Sequence, residues 1–317
     1  MGWSLVVLSL IVLWIASLWK VLFSSSSTSF SKTSFLSDDR ALSKRNVLLV
    51  VAHPDDESMF FSPTINYLIS RGHNLYILCF SIGNVVSLIC DLVSIFFHVE
   101  KYVILCLLGH YVWKGRSLKL PSLSVSYSVV VDLSGNADGM GNTRKHEFYQ
   151  ACAVLKVPLQ QVKVLDHPDL QDGFGKVWDH ELLAKIIEEE VSSHGIDMII
   201  TFDNYGVSGH CNHRDVHYGV CQLLHNVSER SVEAWELIST CILRKYSGPV
   251  DIWLSMLLPL RYTDGMTHCL LNEHPRKSFH AMAEHSSQWV WFRKLFVSFS
   301  SYTYVNTLRK IEEVKQS

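Results

Sequence analysis

The sequence lacks an excess of charge of either sign. Its 317 residues contain 28 lysines and arginines against 30 aspartates and glutamates, a formal net charge of −2 at pH 7. Proteins that bind nucleic acid usually carry a basic surplus clustered on one face. The charge balance therefore argues against DNA or RNA as a partner, and the length allows a large hydrophobic core.

The sequence also lacks paired cysteines. Its eight cysteines are scattered, with no CxxC pair and no regular spacing. Such patterns are the sequence signs of a zinc knuckle or of a disulfide framework. We therefore expect free thiols in a reducing compartment.

A long apolar run occupies the amino end. Residues 3–23 are apolar apart from a few serines and Lys20, which is enough for a helix to cross a hydrocarbon core of about 30 Å. A signal peptide would have a basic region before the run and a small-residue cleavage site after it, and neither is present. The run predicts a transmembrane anchor over 1–23. Basic residues on its carboxyl side place the rest in the cytosol, after a serine-rich linker over 24–45.

Strand and helix patterns alternate after residue 46. The run 46–52 is typical of a strand buried on both faces, and 62–72 is typical of a helix with Ser62 as N-cap and Gly72 as stop. Further strands are predicted at 73–81, 161–165 and 196–202, and further helices at 142–157 and 178–195. This order predicts an α/β fold, with a Rossmann-like, mostly parallel sheet flanked by helices. Ligands bind beyond the carboxyl ends of such strands.

Residues 84–135 interrupt this order. The segment has no clean period and separates a predicted strand from the helix that should follow it within a few residues. Its charges, among them Asp91 and Glu100, argue against a second membrane span, while a hairpin on a membrane surface remains an alternative. We favour a retained intron, because the composition corresponds to T-rich codons. Its removal would join "CFSIG" directly to "NADGMG".

Two clusters of potential metal ligands follow two predicted parallel strands. His53, Asp55 and Asp56 come directly after the first strand, and His210 and His213 lie in "SGHCNHRDVH" after a later one. Histidine and aspartate at a strand end often only cap the next helix. Imidazole and carboxylate are, however, ligands that zinc accepts, and the carboxyl ends of parallel strands meet at one sheet edge. The two clusters together predict a site for Zn²⁺ or another divalent metal, and hence metal-assisted hydrolysis.

The same stretches carry a family resemblance. "AHPDDE" with "GHCNH", together with "GNADGMGNTRKHE", "LDHPDLQDG" and "SQWVWFRKLF", resembles the LmbE-like de-N-acetylases, and in particular their eukaryotic members that act on N-acetylglucosaminyl-phosphatidylinositol. The resemblance covers 46–317 except 84–135. It implies one LmbE-like deacetylase domain over 46–317, interrupted by the atypical segment.

The resemblance also implies roles for five residues. His53, Asp56 and His213 would bind zinc. Asp55 would be the general base that activates water, and His210 would polarise or protonate the tetrahedral intermediate.

The sequence also suggests roles for other polar residues of these motifs. Arg144 either holds substrate oxygens or is a surface charge at a helix start. Glu57 is expected to have a structural role, and His217 is a candidate to face the metal from one turn further along its helix. The stretch "DHPD" (166–169) either lines the pocket or forms a turn around Pro168.

The activity implied is removal of acetate from a glycolipid during synthesis of glycosylphosphatidylinositol anchors, at the cytosolic side of the endoplasmic reticulum membrane. The partners implied are the glycolipid and, through the amino-terminal helix, the membrane. Two alternatives stay open. One is a catalytically impaired splice product that acts as a membrane-bound interaction protein, and the other is a deacetylase of another N-acetylglucosaminyl conjugate.

The intron hypothesis predicts splice signals in the gene. A donor sequence should lie at the Gly83–Asn84 border and an acceptor at the Ser134–Gly135 border, since both dipeptides have codons compatible with them. Sequencing the genomic locus checks this prediction. Borders without those signals would refute the hypothesis.

Overall fold

The computed structural model describes residues 2–23, 44–83, 140–172, 176–226, 232–257 and 267–312. Within these ranges, one seven-stranded sheet forms the centre of the fold. The strands are β1 (Asn46–Val51), β2 (Asn74–Cys79), β3 (Val162–Val164), β4 (Met198–Phe202), β5 (Glu233–Leu237), β6 (Thr267–Leu271) and β7 (Val305–Lys310).

Helices of different lengths connect and cover the strands. They are α1 (Gly2–Phe23), α2 (Asp56–Met59), α3 (Ser62–Ser70), α4 (Gly141–Val154), α5 (His180–His194), α6 (Gly206–Gly209), α7 (Cys211–Asn226), α8 (Ile242–Lys245), α9 (Asp251–Leu257), α10 (Pro275–Glu284) and α11 (Trp291–Phe299). Short 3₁₀ turns lie at Leu159–Gln161, Gly248–Val250, Ser286–Gln288 and Ser301–Thr303.

The strand order creates a crevice at one sheet edge. The order is β3-β2-β1-β4-β5-β7-β6. The first five strands are parallel, and β7 is antiparallel to both β5 and β6. The chain builds outward from β1 to β3 and then returns to place β4 beside β1. This switch in direction opens a crevice at the carboxyl ends of β1 and β4, and it confirms the predicted α/β fold with a mostly parallel sheet.

Strand β1 is buried on both faces, as its sequence predicted. Val47, Leu49 and Val51 belong to the core under α3, α4 and α10, whereas Leu48 and Val50 belong to the core under α5 and α7. Side chains alternate between the two faces of a strand. A continuous apolar run therefore fills both cores at once.

Most helix boundaries agree with the sequence signals, but the start of α3 does not. Helix α5 ends at Gly195 in the left-handed conformation (φ 56°), as predicted. Ser62 is the first residue of α3 rather than its cap, and its hydroxyl donates to the Ser58 carbonyl at 2.9 Å. The free amide of Thr64 is instead satisfied by Oδ1 of Asn306, 3.2 Å away. A residue more than two hundred positions along the chain replaces the local cap.

The amino-terminal apolar run forms a helix. Helix α1 covers Gly2–Phe23, the region predicted to be an anchor. In the parts of the chain that the structure describes, none of the helices combines the length and the apolar character needed to span a bilayer.

One side of α1 packs against the folded domain. Ser17 and Val21 are buried, and the Ser17 hydroxyl accepts a hydrogen bond from the Trp253 indole at 2.9 Å. The Lys20 ammonium lies 4.1 Å from the centre of the Trp253 ring, a cation–π contact. The helix is thus joined to α9 along its carboxyl half.

Two predicted features lie outside the described residues. They are the atypical segment 84–135 and residues 24–43 of the serine-rich linker. The predicted boundaries of these segments stay predictions.

Asn306 gives a test of how this fold is stabilised. Its fully buried side chain accepts from the Thr64 amide and hydroxyl and donates to the Phe60 carbonyl at 2.8 Å. We expect Asn306→Ala to lower the free energy of unfolding by about 3 kcal/mol, because it leaves several buried polar groups unpaired. Denaturant unfolding measures the loss. The exposed Gln222→Ala on α7 is the control and should change stability by less than about 0.5 kcal/mol; equal losses in the two variants would show that the Asn306 hydrogen bonds do not stabilise the fold.

Candidate active site

Six of the residues singled out in the sequence line a single cavity. It lies beyond the carboxyl ends of β1 and β4, at the switch in strand order. The residues are His53, Asp55, Asp56, Arg144, His210 and His213. Their roles stay predictions, but their convergence agrees with the expectation that both motifs meet at one sheet edge.

The histidines provide potential metal ligands. Within the described residues, His53, His210 and His213 each offer one ligand atom, and these atoms lie within 4.8 Å of one another. Asp56 Oδ1 lies 3.1 Å from Nε2 of His213. Its Oδ2 accepts the backbone amides of Ala52 and His53 at 3.0 and 2.9 Å. The backbone therefore fixes the carboxylate while one oxygen stays directed at His213.

The donor set fits a divalent cation. His213 Nδ1 lies 3.2 Å from the Gly206 carbonyl, which accepts its proton and leaves the Nε2 lone pair for a metal, as is usual for ligating histidines. Among the described residues, Nε2 of His53 and Nδ1 of His210 are buried and have no hydrogen-bond partner. Buried polar atoms normally have a partner, and a cation or a bound substrate oxygen would supply it.

The charges of the cluster are mutually compensating. Burial alone raises the pKa of Asp56, but His213 and His53 outweigh it and lower that pKa to about 2. Burial lowers the pKa of His53, yet Asp172 and Asp56 together raise it above its ordinary value. Burial and the neighbouring His213 and His53 lower the pKa of His210 well below its ordinary value. His210 is thus neutral and can donate one N–H bond.

Asp55 has a strained backbone and a buried charged partner. Its φ of 133° is unusual for a residue with a side chain, and such strain is often found at functional sites. Its carboxylate forms an ion pair with Arg293 of α11, and both side chains are buried. Gln288 accepts from Arg293 at 2.9 Å and donates to the Pro54 carbonyl at 2.8 Å. The carboxyl-terminal helix therefore holds Asp55 in place.

Glu57 has a structural position. It is fully buried, accepts the Asp55 amide at 3.0 Å and lies 2.7 Å from Nε2 of His285. It also accepts a hydrogen bond from the Ser58 hydroxyl. These contacts brace the turn that carries Asp55 and Asp56.

Arg144 is not a surface charge. It is buried, lines the cavity, and donates to the Gly83 carbonyl at 2.6 Å. Burial lowers its pKa, while Asp172 and Glu147 counteract that effect. The interpretation as a surface charge was therefore wrong, and the role of Arg144 toward a substrate stays a prediction.

Asp172 is a cavity residue that the sequence motifs did not single out. Its Oδ1 lies 3.2 Å from Nε2 of His53, without hydrogen-bond geometry. The stretch 166–169 just before it forms a turn, in which the Leu170 amide donates to the His167 carbonyl at 3.1 Å. The motif "LDHPDLQD" thus reaches the cavity through its last residue. The signal in the sequence was its place in the motif "LDHPDLQDG", which follows a predicted strand.

His217 does not reach the cavity. Its Nδ1 bonds to the Phe202 carbonyl at 3.0 Å and lies 3.3 Å from Glu236. The helix turns this side chain toward β4 and β5, so the expectation that it faces the metal was wrong.

A strained loop after β4 positions His210 and His213. Gly206 has φ 64°, and a Cβ there would lie 2.8 Å from Cβ of His213, so only glycine fits. Val207 is also left-handed at φ 64°. Lys245 stabilises it by donating to its carbonyl at 2.8 Å, and Asp203 accepts the Gly206 amide at 2.9 Å.

Comparisons with known proteins identify the family to which the chain is similar. The family model PIG-L, described as GlcNAc-PI de-N-acetylase, matches residues 48–224. The N-acetylglucosaminyl-phosphatidylinositol de-N-acetylase of Bos taurus is 30% identical over 262 residues, which cover 82% of this chain and 81% of the bovine one. A Dictyostelium discoideum protein named "Probable N-acetylglucosaminyl-phosphatidylinositol de-N-acetylase" is 28% identical over 301 residues, 87% of this chain and 96% of that one.

Solved structures are similar to this chain as well. The N,N'-diacetylchitobiose deacetylase from Pyrococcus horikoshii aligns with a TM-score of 0.51 and 12% sequence identity, over 85% of each chain. At this identity the likeness concerns the fold alone.

The ligand set can be tested by metal content. We expect Asp56→Asn and His213→Ala to lose bound Zn²⁺, because each removes an inward-facing donor. His210→Ala should retain the metal, since the resemblance gives His210 another role. Equilibrium dialysis with elemental analysis measures zinc per chain, and the exposed His225→Ala is the control. If His210→Ala lost the metal and Asp56→Asn kept it, His210 would be the ligand and Asp56 would not.

Proposed function

Because this chain belongs to the GlcNAc-PI de-N-acetylase family, we propose that it is a zinc-dependent hydrolase that removes the acetyl group from N-acetylglucosaminyl-phosphatidylinositol. The reaction is an amide hydrolysis that yields acetate and a free amine on the sugar. It would belong to the synthesis of glycosylphosphatidylinositol anchors.

One observation carries the proposal. A potential metal site, a buried carboxylate with its own cationic partner and a neutral histidine line the same cavity. Amide hydrolysis needs an activated water, a proton acceptor and a donor for the developing oxyanion. The cavity offers a group for each need.

Zinc, when bound by His53, Asp56 and His213, would supply Lewis-acid polarisation of the attacking water and the carbonyl. Asp55 takes a proton from the water as its oxygen attacks the acetyl carbon. Arg293 pairs with that carboxylate and orients it. His210 donates its N–H to the carbonyl oxygen as negative charge develops there. The C–N bond then breaks, and the departing nitrogen receives the proton held by Asp55.

Arg144 is proposed to bind the substrate. Its guanidinium lines the cavity and suits hydroxyl or phosphate oxygens of the sugar and inositol part. A lipid substrate requires that the catalytic domain meets a membrane. We therefore propose that the protein acts at the endoplasmic reticulum membrane with its catalytic domain on the cytosolic side.

Acetate release tests the substrate. Membranes that carry this chain should release acetate from N-acetylglucosaminyl-phosphatidylinositol, and the same chain without residues 84–135 is assayed beside it. Activity only in the shortened chain would mark this sequence as an impaired isoform. Release from other N-acetylglucosaminyl conjugates and not from the glycolipid would overturn the substrate assignment.

Asp55→Asn tests the base. We expect turnover to fall by about 10²–10⁴-fold, the usual contribution of a general base, while zinc content stays the same because Asp55 is not a ligand. The substitution leaves Arg293 without its carboxylate, so thermal unfolding is recorded alongside. Asp169→Asn, an exposed carboxylate outside the cavity, should behave like the parent chain. Retained turnover in Asp55→Asn would remove Asp55 from the mechanism.

A further inference from the structure

Helix α11 has large apolar side chains on the side that faces away from the active site. Trp291, Leu295 and Phe299 are 67%, 50% and 45% exposed. Residues four apart lie above one another on a helix, so these three form a continuous row about 12 Å long. We call them the outer row.

The opposite side of α11 is buried in the domain. Arg293 pairs there with Asp55, and Phe296 and Val297 lie in the core. An ordinary surface helix buries one apolar face and shows a polar one. Helix α11 has apolar residues on both sides, which calls for a second apolar environment.

The outer row meets a further apolar side chain at its Phe299 end, and a nearby helix exposes others. The Phe299 ring lies 6.2 Å from the Trp14 ring of α1, and Trp14 and the Phe299 carbonyl both approach Gly248. Helix α9, joined to α1 through Trp253, exposes Leu254 and Leu257. Single exposed apolar residues are common, but connected ones mark an interaction surface.

Lysines that contact tryptophans lie on two of the helices that carry these apolar side chains. Lys294 is exposed beside the outer row, with its ammonium 5.5 Å from the centre of the Trp289 ring. Lys20 makes the corresponding contact with Trp253 at 4.1 Å. Tryptophan favours the boundary between lipid headgroups and acyl chains, and lysine is attracted to headgroup phosphates. This charge complementarity favours a phospholipid surface over a second apolar protein face.

We propose that the outer row of α11 inserts into the surface of a phospholipid bilayer. The helix lies along the interface, as amphipathic interfacial helices do, with Lys294 among the headgroups. Its inner side presents Arg293 to Asp55, so the helix that touches the bilayer also orients the proposed base. The kinetic part of this inference rests on the proposed function, whereas the binding part does not.

Photocrosslinking tests the binding part. The full chain carries p-benzoylphenylalanine in place of Leu295, or in place of the exposed Leu159 as the control, and is reconstituted with vesicles of phosphatidylcholine and phosphatidylinositol. We expect lipid adducts at position 295 and none at 159. Adducts to a second copy of the chain, equal labelling at both positions, or no adducts would overturn the proposal. The readout needs no activity, so it separates this inference from the proposed function.

Kinetics test the consequence for catalysis. The double variant Trp291→Gln and Leu295→Gln retains helix-forming residues. It should raise KM for substrate in vesicles on the order of tenfold, because less apolar area enters the bilayer, without changing kcat. Turnover of a water-soluble analogue without acyl chains should be unaffected. Leu159→Gln with Val177→Gln is the matched control, and an equal loss in both double variants or on the soluble analogue would contradict the proposal.

Discussion

Three consecutive buried carboxylates at the end of β1 set the main constraint on this molecule. Desolvated charges are tolerated only when each is compensated. Asp55 is compensated by Arg293, Asp56 by His213 and by backbone amides, and Glu57 by His285 and the Asp55 amide. Each carboxylate thus has a separate partner. Of the three, only Asp55 and Asp56 line the cavity, whereas Glu57 supports the turn that carries them.

The partners of Asp55 and Glu57 explain why the carboxyl-terminal third of the chain belongs to the candidate active site. The family model ends at residue 224, but His285 and Arg293 lie beyond it at the end of α10 and in α11. Strands β6 and β7 add the antiparallel edge that brings these helices over the crevice. Without them, two buried carboxylates would lose their compensating groups. The residues up to 224 carry the motifs. The residues after them provide His285 and Arg293, the side chains that pair with Glu57 and Asp55.

The chemistry of the cavity follows from how the loops after β1 and β4 are held. Asp55 and Val207 both have left-handed backbones, one in each loop. Packing elsewhere supports this strain, since Gln288 holds the turn before Asp55 and Lys245 holds the Val207 carbonyl. Preorganised groups need no rearrangement when charge develops during a reaction. The same helix that orients Asp55 carries the outer row on its other side, so the proposed lipid contact would lie on the helix that holds the proposed base.

Several features were determined by the sequence itself. The buried character of β1, the end of α5 at Gly195 and the convergence of His53 and His213 at one sheet edge follow from local periodicity and parallel strand order. Other features depend on contacts between distant residues, which no local pattern encodes. No pattern near Arg293 in the sequence indicates that it pairs with Asp55, and the cap of α3 comes from Asn306. Local patterns determine which elements form because their signals lie within a few residues. Which side chain neutralises a buried charge is decided only when the tertiary structure brings the segments together.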